Sequence, residues 1–292
     1  MKRILIVGSG DVARRAIPWL VRRFRVLALV RRPEAAAELR ALGATPVAGN
    51  LDDLRSLQRL AGLADAVLHC APPPNEGSDD PRTRRLIAAL SRGPSLARRV
   101  AYISTSGVYG DCGGARIDES QPLQATTARA RRRVAAEQRL RRFAAGQGAR
   151  LSILRAPGIY AAERLSLERL QRGSPVLKAE EDVFTNHIHA DDLAHAMIAA
   201  LFRAKGGRAF NISDDSELKM GDYYDAMADT FGLSRPPRAS RAECAAQLTP
   251  VTLSFMSESR RLVNQRMKRE LRVALRWPDV RTALQQIAAA KN

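Results

Sequence analysis

The feature that most constrains this chain stands in its first thirteen residues. An apolar run, Ile4 to Val7, is followed by Gly8-Ser9-Gly10-Asp11-Val12-Ala13 and then by a helix-like stretch. A strand, a glycine turn and a helix in that order make a dinucleotide-binding start. Gly8 permits the tight turn, Gly10 lets the backbone approach a pyrophosphate, and small Ala13 lets the helix lie close to a sheet. Phosphate then meets unpaired helix N–H groups along Gly8, Ser9, Gly10, Asp11 and Val12. A glycine turn without a ligand is the competing reading, and the position directly after a strand weighs against it.

The second strand bears on which dinucleotide binds. Arg25 to Val30 reads as a buried parallel strand that ends at Arg31-Arg32-Pro33, where an NAD site usually carries Asp or Glu for the ribose diol. No carboxylate stands at this tip. The planar, permanently charged forks of Arg31 and Arg32 suit a ribose 2'-phosphate, so NADP is the preferred cofactor and NAD the second choice. The competing reading is a chance pair in an arginine-rich chain.

The same unit repeats downstream. A helix is expected around Pro33 to Leu42, a third strand at Thr45 to Ala48, a short helix from Asp53 to Leu60, a fourth strand at Asp65 to Ala71 and a fifth at Arg99 to Ser104. Helices alternating with apolar strands predict an α/β fold, a Rossmann-like doubly wound parallel sheet. Such sheets bind ligands at the carboxyl ends of their strands, where Asn50-Leu51, Ala71-Pro72 and Thr105 fall. Asn50 can bond an adenine edge, and the Ala71-Pro72 backbone can line the cofactor. His69 is expected to pack within its strand.

Composition excludes several classes. With 292 residues the chain can bury one large domain and a smaller lobe. A formal charge of +18 would suit a phosphate-rich partner. The arginines are scattered along alanine-rich helices, however, with no basic tail, zinc-finger spacing or aromatic interleaving, so a solvated surface is the reading and no nucleic-acid partner is expected. Cys70, Cys112 and Cys244 lack disulfide or metal-ligand spacing and point to a reducing interior. No signal segment or run of 18 apolar residues is present, so a soluble, cytoplasmic monomer or homodimer without membrane attachment is expected.

Five further blocks carry a resemblance. They are Ile103-Ser104-Thr105-Ser106-Gly107-Val108-Tyr109-Gly110, Asp118-Glu119-Ser120-Gln121-Pro122, Ile153-Leu154-Arg155-Ala156-Pro157-Gly158-Ile159-Tyr160, His187-Ile188-His189-Ala190-Asp191-Asp192-Leu193-Ala194 and Phe210-Asn211-Ile212-Ser213-Asp214. In this order they resemble an extended, atypical short-chain dehydrogenase/reductase of the NAD(P)-dependent epimerase/dehydratase-like family. The resemblance spans residues 1 to about 215. From Glu258 through Trp277-Pro278 the chain resembles the C-terminal lobe of an atypical bacterial branch. The implied organisation is a dinucleotide-binding core at 1–160, an inserted substrate-side segment at 161–186, a return to the core at 187–213 and a predominantly C-terminal substrate lobe at 214–292.

The chain departs from this family where the chemistry lies. Members with the usual chemistry carry a Tyr and, four residues later, a Lys. With Arg133-Val134-Ala135-Ala136-Glu137 setting the register, those positions fall on Arg129 and Arg133, and Thr126 to Glu137 contains neither Tyr nor Lys. In an active relative the Tyr transfers a proton, the Lys holds the nicotinamide ribose and lowers that Tyr's pKa, and the residue at Thr105 orients the substrate oxygen. A guanidinium stays protonated and offers no acceptor for a general base. Arg129 can instead stabilise an oxyanion or grip a carboxylate or phosphate, and Arg133 can hold a ribose hydroxyl. Thr105, Arg129 and Arg133 are therefore the candidate catalytic set, although Thr105 also reads as a cap or turn hydroxyl.

The remaining residues are read more plainly. Tyr109 is expected to pack. Tyr160 should pack near the cofactor, while Pro157, Gly158 and Ile159 offer it backbone contacts. His187, His189, Asp191 and Asp192 read as a strand-to-helix junction, with Asp191 or Asp192 capping a helix that begins near Leu193; no metal is expected. Arg164, Arg172 and Glu258-Ser259-Arg260-Arg261 can bind an anionic substrate or form surface salt bridges. Val280 to Ala289 reads as a packing helix, and Pro236-Pro237-Arg238 as a lid element by location. The expected function is hydride transfer between an NAD(P) cofactor and a small, anionic substrate by an oxidoreductase or epimerase-like enzyme. The alternative is a non-catalytic NADP-binding sensor or interaction protein.

Overall fold

The computed structural model describes residues 2–93 and 97–290. The first half alternates strand and helix: β1 (Arg3–Val7), α1 (Asp11–Leu20), β2 (Arg25–Val30), α2 (Ala35–Ala41), β3 (Thr45–Ala48), β4 (Ala66–His69), α3 (Pro81–Leu90) and β5 (Arg99–Thr105). There follow β6 (Arg116–Ile117), α4 (Ala128–Gln147), β7 (Arg150–Ala156), β8 (Gly158–Tyr160), α5 (Leu167–Gln171), β9 (Val176–Leu177), β10 (Phe184–Thr185) and β11 (His187–His189). The chain continues through α6 (Ala190–Arg203), β12 (Arg208–Asn211), β13 (Leu218–Lys219), α7 (Met220–Thr230), β14 (Arg238–Ala239), α8 (Arg241–Gln247), α9 (Pro250–Phe255), β15 (Arg261–Leu262), α10 (Gln265–Glu270) and α11 (Val280–Ala289).

Seven strands form one parallel sheet in the order β12-β7-β5-β4-β1-β2-β3. The period of two along each strand decides which core a residue enters. Ile4 and Ile6 of β1 face one core with Ala16, Ile17 and Leu20 of α1 and Leu193 and Met197 of α6. Leu5 and Val7 face the other, with Leu86 of α3 and Leu140 of α4. Helices therefore cover both faces, as a doubly wound sheet requires. The strand order reverses between β1 and β4, which opens the crevice where such sheets bind ligands. The stretch expected as a short helix from Asp53 is a 3-10 turn over Arg55–Leu60.

A third core lies beyond the carboxyl ends of the strands. Tyr160, Leu170, Val176 and Leu177 pack there with Met227 of α7, Cys244 of α8 and Leu284 of α11. The C-terminal chain serves both bodies, because Met267, Leu271 and Val273 pack in the sheet core. It returns as a strap: β15 pairs with β6, and buried Asn186 exchanges bonds with Arg260 O at 2.9 Å and Leu262 N at 2.8 Å. Pro236-Pro237-Arg238 is not a lid. Arg238–Ala239 pairs with Val176–Leu177, and Arg238 donates to Asp225 at 2.6 Å, so this segment is a stitched part of the lobe. Among the described residues no helix is long and apolar enough to cross a membrane.

Candidate active site

The glycine loop is shaped by the crowding of β1 against β4. Gly8 has φ +92°, and a β-carbon there would stand 2.3 Å from Ala71 N. The amides of Cys70 and Ala71 both donate to Val7 O, at 2.7 and 2.9 Å, which is what draws the two backbones together. Only glycine fits both the conformation and the space. Ser9 Oγ donates to Leu29 O at 3.1 Å and ties the loop to β2. Gly10 is the N-cap of α1, where no side chain caps the helix and an added β-carbon would meet nothing within 4 Å. The first amides of α1, those of Asp11 and Val12 included, have no acceptor among the described residues and stand at the positive end of the helix, an arrangement that fits a pyrophosphate. The Asp11 side chain is committed to Arg15 at 2.8 Å and Arg164 at 3.3 Å, which leaves its backbone for a ligand.

The neighbouring strand tips complete a dinucleotide floor. Arg31 and Arg32 are exposed, and neither makes a side-chain bond among the described residues. Past the end of β3, Asn50 Oδ1 accepts from Asp52 N at 3.0 Å, its amide donors make no bond among the described residues, and Leu51 O accepts from Arg85 at 3.3 Å. Ala71 is buried beneath Gly8, and Pro72 O accepts from Arg82 at 3.3 Å. His69 packs as expected. Its Nε2 lies 2.8 Å from Thr83 Oγ1, its ring 5.0 Å from that of Tyr102, and burial pushes its pKa down to about 4.

Next to this floor, between the sheet and the lobe, opens a cavity of about 800 Å³. Thr105, Arg129, Pro157, Gly158, Ile159 and Tyr160 line it, together with Phe184, His187, Tyr223 and Phe255. Thr105 Oγ1 caps the turn after β5 by accepting from Gly107 N at 3.3 Å, so the cap reading and the pocket reading both hold. Arg129 lies with its guanidinium 4.0 Å from the ring centroid of Phe255 and closes no ion pair among the described residues; burial lowers its pKa, with the Glu258 carboxylate of the same lining opposing that shift. Arg133, one turn further along α4, is not part of this lining. Its Nη1 donates to Ile103 O at 2.8 Å and Tyr102 Oη at 3.1 Å, which holds the guanidinium against β5. Its field acts on both His69 and Cys70 at the tip of β4.

Behind the pocket, α4 is bolted to the sheet by a buried ion pair. Glu137 accepts from Ser104 at 2.6 Å and from Arg155 at 2.8 Å, and Arg155 also donates to Tyr109 Oη at 3.0 Å. Tyr109, packed as expected, donates to Asn211 at 2.7 Å. The His-x-His-x-Asp-Asp stretch sends its side chains to separate tasks. The helix begins at Ala190 rather than near Leu193, and His189, not an aspartate, is its N-cap, accepting from Asp191 N at 3.2 Å. Asp191 pairs with Arg15, whereas Asp192 accepts from the amides of Arg276 and Trp277, both at 2.9 Å. Of the other arginines weighed as anion ligands, Arg172 pairs with Glu168 and Arg260 with Glu258. Arg169, which sequence reasoning passed over, reaches the pocket from α5, bonded to Tyr224 Oη at 3.1 Å and Pro175 O at 3.0 Å and in no ion pair among the described residues.

Comparison with known proteins agrees with this geometry. A family model described as NAD(P)H-binding matches residues 8–204. The chain belongs to that NAD(P)H-binding family. One relative is 4-hydroxy-2-methyl-3-oxo-4-farnesyl-3,4-dihydroquinoline-1-oxide ketoreductase of Stigmatella aurantiaca, 26% identical over 271 residues, covering 83% of this chain and 78% of that one. A conserved protein of unknown function from Silicibacter pomeroyi shares the whole fold, with a TM-score of 0.82, 29% identity and complete coverage of both chains. UDP-glucose 4-epimerase of Thermotoga maritima, solved with UDP-glucose, superposes with a TM-score of 0.79 at 15% identity over 98% of this chain and 97% of its own. The family member described here thus has the extended short-chain dehydrogenase/reductase fold along its length, and the expectation of a Rossmann-like parallel sheet holds.

Proposed function

We propose that this chain is a reductase that transfers hydride from NADPH, in preference to NADH, to the carbonyl of a small substrate bearing an anionic group. The observation that carries this reading is Arg129, a partly buried cation that closes no ion pair among the described residues, in the same cavity as Thr105 and the Pro157-Gly158-Ile159 turn, with Glu258 the carboxylate that acts on it across the lining. A desolvated guanidinium favours a carboxylate or phosphate over water. The ketoreductase relative supports the carbonyl. Bound reduced nicotinamide would supply the hydride. Thr105 accepts from Gly107 N, so its own hydrogen remains to donate to a substrate oxygen. Arg133 uses only Nη1 on β5 and keeps its other donors for a ribose hydroxyl. Arg31 and Arg32 at the tip of β2, exposed and without a side-chain bond among the described residues, support the 2'-phosphate preference. Three free cysteines support a reducing, cytoplasmic setting.

The test follows nicotinamide absorbance against paired carbonyl compounds with and without a carboxylate or phosphate. The anionic member of each pair is expected to be the better substrate, and Arg129→Ala to raise its KM by about 10-fold to 100-fold, the range of one charge-assisted hydrogen bond, without affecting the neutral member. NADPH binding without turnover of any carbonyl would favour the sensor reading. Equal effects of Arg129→Ala on both members would remove the anion from the proposal.

A further inference from the structure

We propose that His187 is the second hydrogen-bond donor to the reacting oxygen, so that His187 and Thr105 together form the oxyanion site of a pocket that has no tyrosine in α4. This rests on the reductase reading of that pocket. His187 opens β11, which runs parallel to β8 with His187 opposite Gly158. A β-carbon on Gly158 would lie 3.6 Å from His187 Cδ2. The edge of the ring that carries Cδ2 and the adjoining Nε2 therefore faces the Pro157-Gly158-Ile159 turn, and His187 lines the cavity together with that turn and Thr105.

The ring's remaining surroundings give it no other polar task. His187 is 5% exposed, and its Nδ1 is buried without a partner among the described residues. Its contacts are rings: Tyr223 stacked at 4.1 Å and Tyr160 edge-on at 6.4 Å. A buried imidazole with no hydrogen bond is costly if it serves packing alone, where an apolar ring would stack without that cost. With no acceptor at Nδ1, the tautomer carrying hydrogen on Nε2 directs its N–H along the edge that faces Gly158. Burial pushes the pKa down to about 3, so the donor is the neutral imidazole.

A neutral imidazole suits a developing oxyanion, since it donates a strong hydrogen bond without itself giving up a proton. As hydride reaches the carbonyl carbon, the π pair of the C=O bond moves onto oxygen, where the Nε2–H of His187 and the hydroxyl of Thr105 receive it. Water then protonates the alkoxide and leaves as hydroxide, so the product is the alcohol and no side chain changes its protonation state. Sharing the oxygen between two uncharged donors removes the need for a tyrosine general acid, which Arg129 cannot supply.

Two matched substitutions separate this role from packing. The side-chain amide nitrogen of His187→Gln reaches the position of Nε2, whereas that of His187→Asn reaches only that of Nδ1, and His187→Phe keeps the stack on Tyr223 but donates nothing. With benzoylformate as the carbonyl probe, kcat is expected to fall about 100-fold or more in the Phe and Asn variants and less than about 10-fold in the Gln variant, with NADPH affinity unchanged in all three. Nitrogen-15 resonances of the imidazole, followed while benzoylformate is added to the NADP complex, should show His187 Nε2 shifting and His69 unmoved. Equal loss in the Gln and Asn variants, or a wild-type rate in the Phe variant, overturns the role of His187 while leaving the reductase reading intact. If the Phe variant fails to fold, the Gln and Asn pair still decides. No turnover by the wild type with no shift of Nε2 overturns both proposals, whereas a shift without turnover keeps His187 as an oxygen ligand and overturns the reductase reading alone.

Discussion

At the dinucleotide floor the chain offers backbone, and under the lobe it offers side chains. The floor takes its shape from Gly8 wedged against Ala71, from the bare end of α1 at Gly10, from the bond of Ser9 to Leu29 O and from the Asn50 turn closed by Asp52 N. The cavity takes its shape from stacked pairs that join distant parts of the chain, Arg129 on Phe255 at 4.0 Å and His187 on Tyr223 at 4.1 Å. A backbone site binds what every dinucleotide shares. A side-chain site can be refitted residue by residue without disturbing the fold.

The largest expected effect breaks the joint between the two regions. Glu137 and Arg155 are fully buried partners that hold α4, and with it Arg129 and Arg133, against β5 and β7. Glu137→Leu leaves the Arg155 charge unpaired in the core and should cost about 3–5 kcal/mol in urea unfolding. Replacing both residues by apolar ones of similar volume should recover most of that loss. An equal cost for the single and double changes would show that shape, not charge, makes the joint. Within the floor, Gly8 and Gly10 should separate stability from binding. Gly8→Ala places a β-carbon 2.3 Å from Ala71 N at φ +92° and should lower stability by at least about 2 kcal/mol. Gly10→Ala meets no atom within 4 Å and gives up only a favoured N-cap, so its unfolding free energy should stay within about 1 kcal/mol of the wild type while NADPH affinity falls about 10-fold. Unchanged affinity in Gly10→Ala would move the pyrophosphate away from α1.

How legible each region was in the sequence follows from how it is built. Gly8, Gly10 and the end of β2 lie within one strand-turn-helix-strand unit, so local residue types report the constraint. β2 and β3 occur with the bounds their apolar runs predict, and α11 spans Val280–Ala289 as its spacing suggests. The cavity assembles Arg129 from α4, Arg169 from α5, His187 from β11, Tyr223 from α7 and Phe255 from α9, which no local period connects. Tyr223 and Phe255 have nothing in their neighbourhoods to separate them from core aromatics. The cap of α6 differs from the sequence expectation for a related reason: aspartate is the commoner cap, but Asp191 and Asp192 are drawn to Arg15 and to the Arg276-Trp277 backbone, distant in sequence, which leaves the task to His189.

Both regions bury a neutral histidine, and pH offers a way to compare them. His69, with its pKa pushed down to about 4, and His187, at about 3, stay uncharged in the folded protein, whereas in the unfolded chain each takes up a proton near pH 6.5. Stability from each is complete above pH 6.5 and is lost as the pH falls toward the folded value, because the unfolded state then binds the extra proton. His69→Gln keeps a donor for Thr83 but does not titrate. Between pH 6 and 4.5 its stability should fall less steeply than that of the wild type by about 1.4 kcal/mol per pH unit, a difference of about 2 kcal/mol over the interval. Parallel pH profiles for the two proteins would mean that His69 reaches water in the native state.

The smallest expected effect sharpens the floor alone. Arg31 and Arg32 are exposed at the tip of β2, with no side-chain bond to break among the described residues before they meet a ligand, and solvent screening there limits what each contributes. Together they should favour NADPH over NADH by about 1.5 kcal/mol, roughly 10-fold, as measured by calorimetry at fixed ionic strength. Arg31→Ala with Arg32→Ala should bring the two affinities together by weakening NADPH alone, and raising the salt concentration should shrink the wild-type difference in the same direction. The cavity should not respond, since Arg129 and Thr105 lie at the other end of the expected cofactor path. If the double variant loses NADPH and NADH equally, the arginines hold a phosphate common to both cofactors, and the nucleotide preference must then come from the tip of β3 around Asn50.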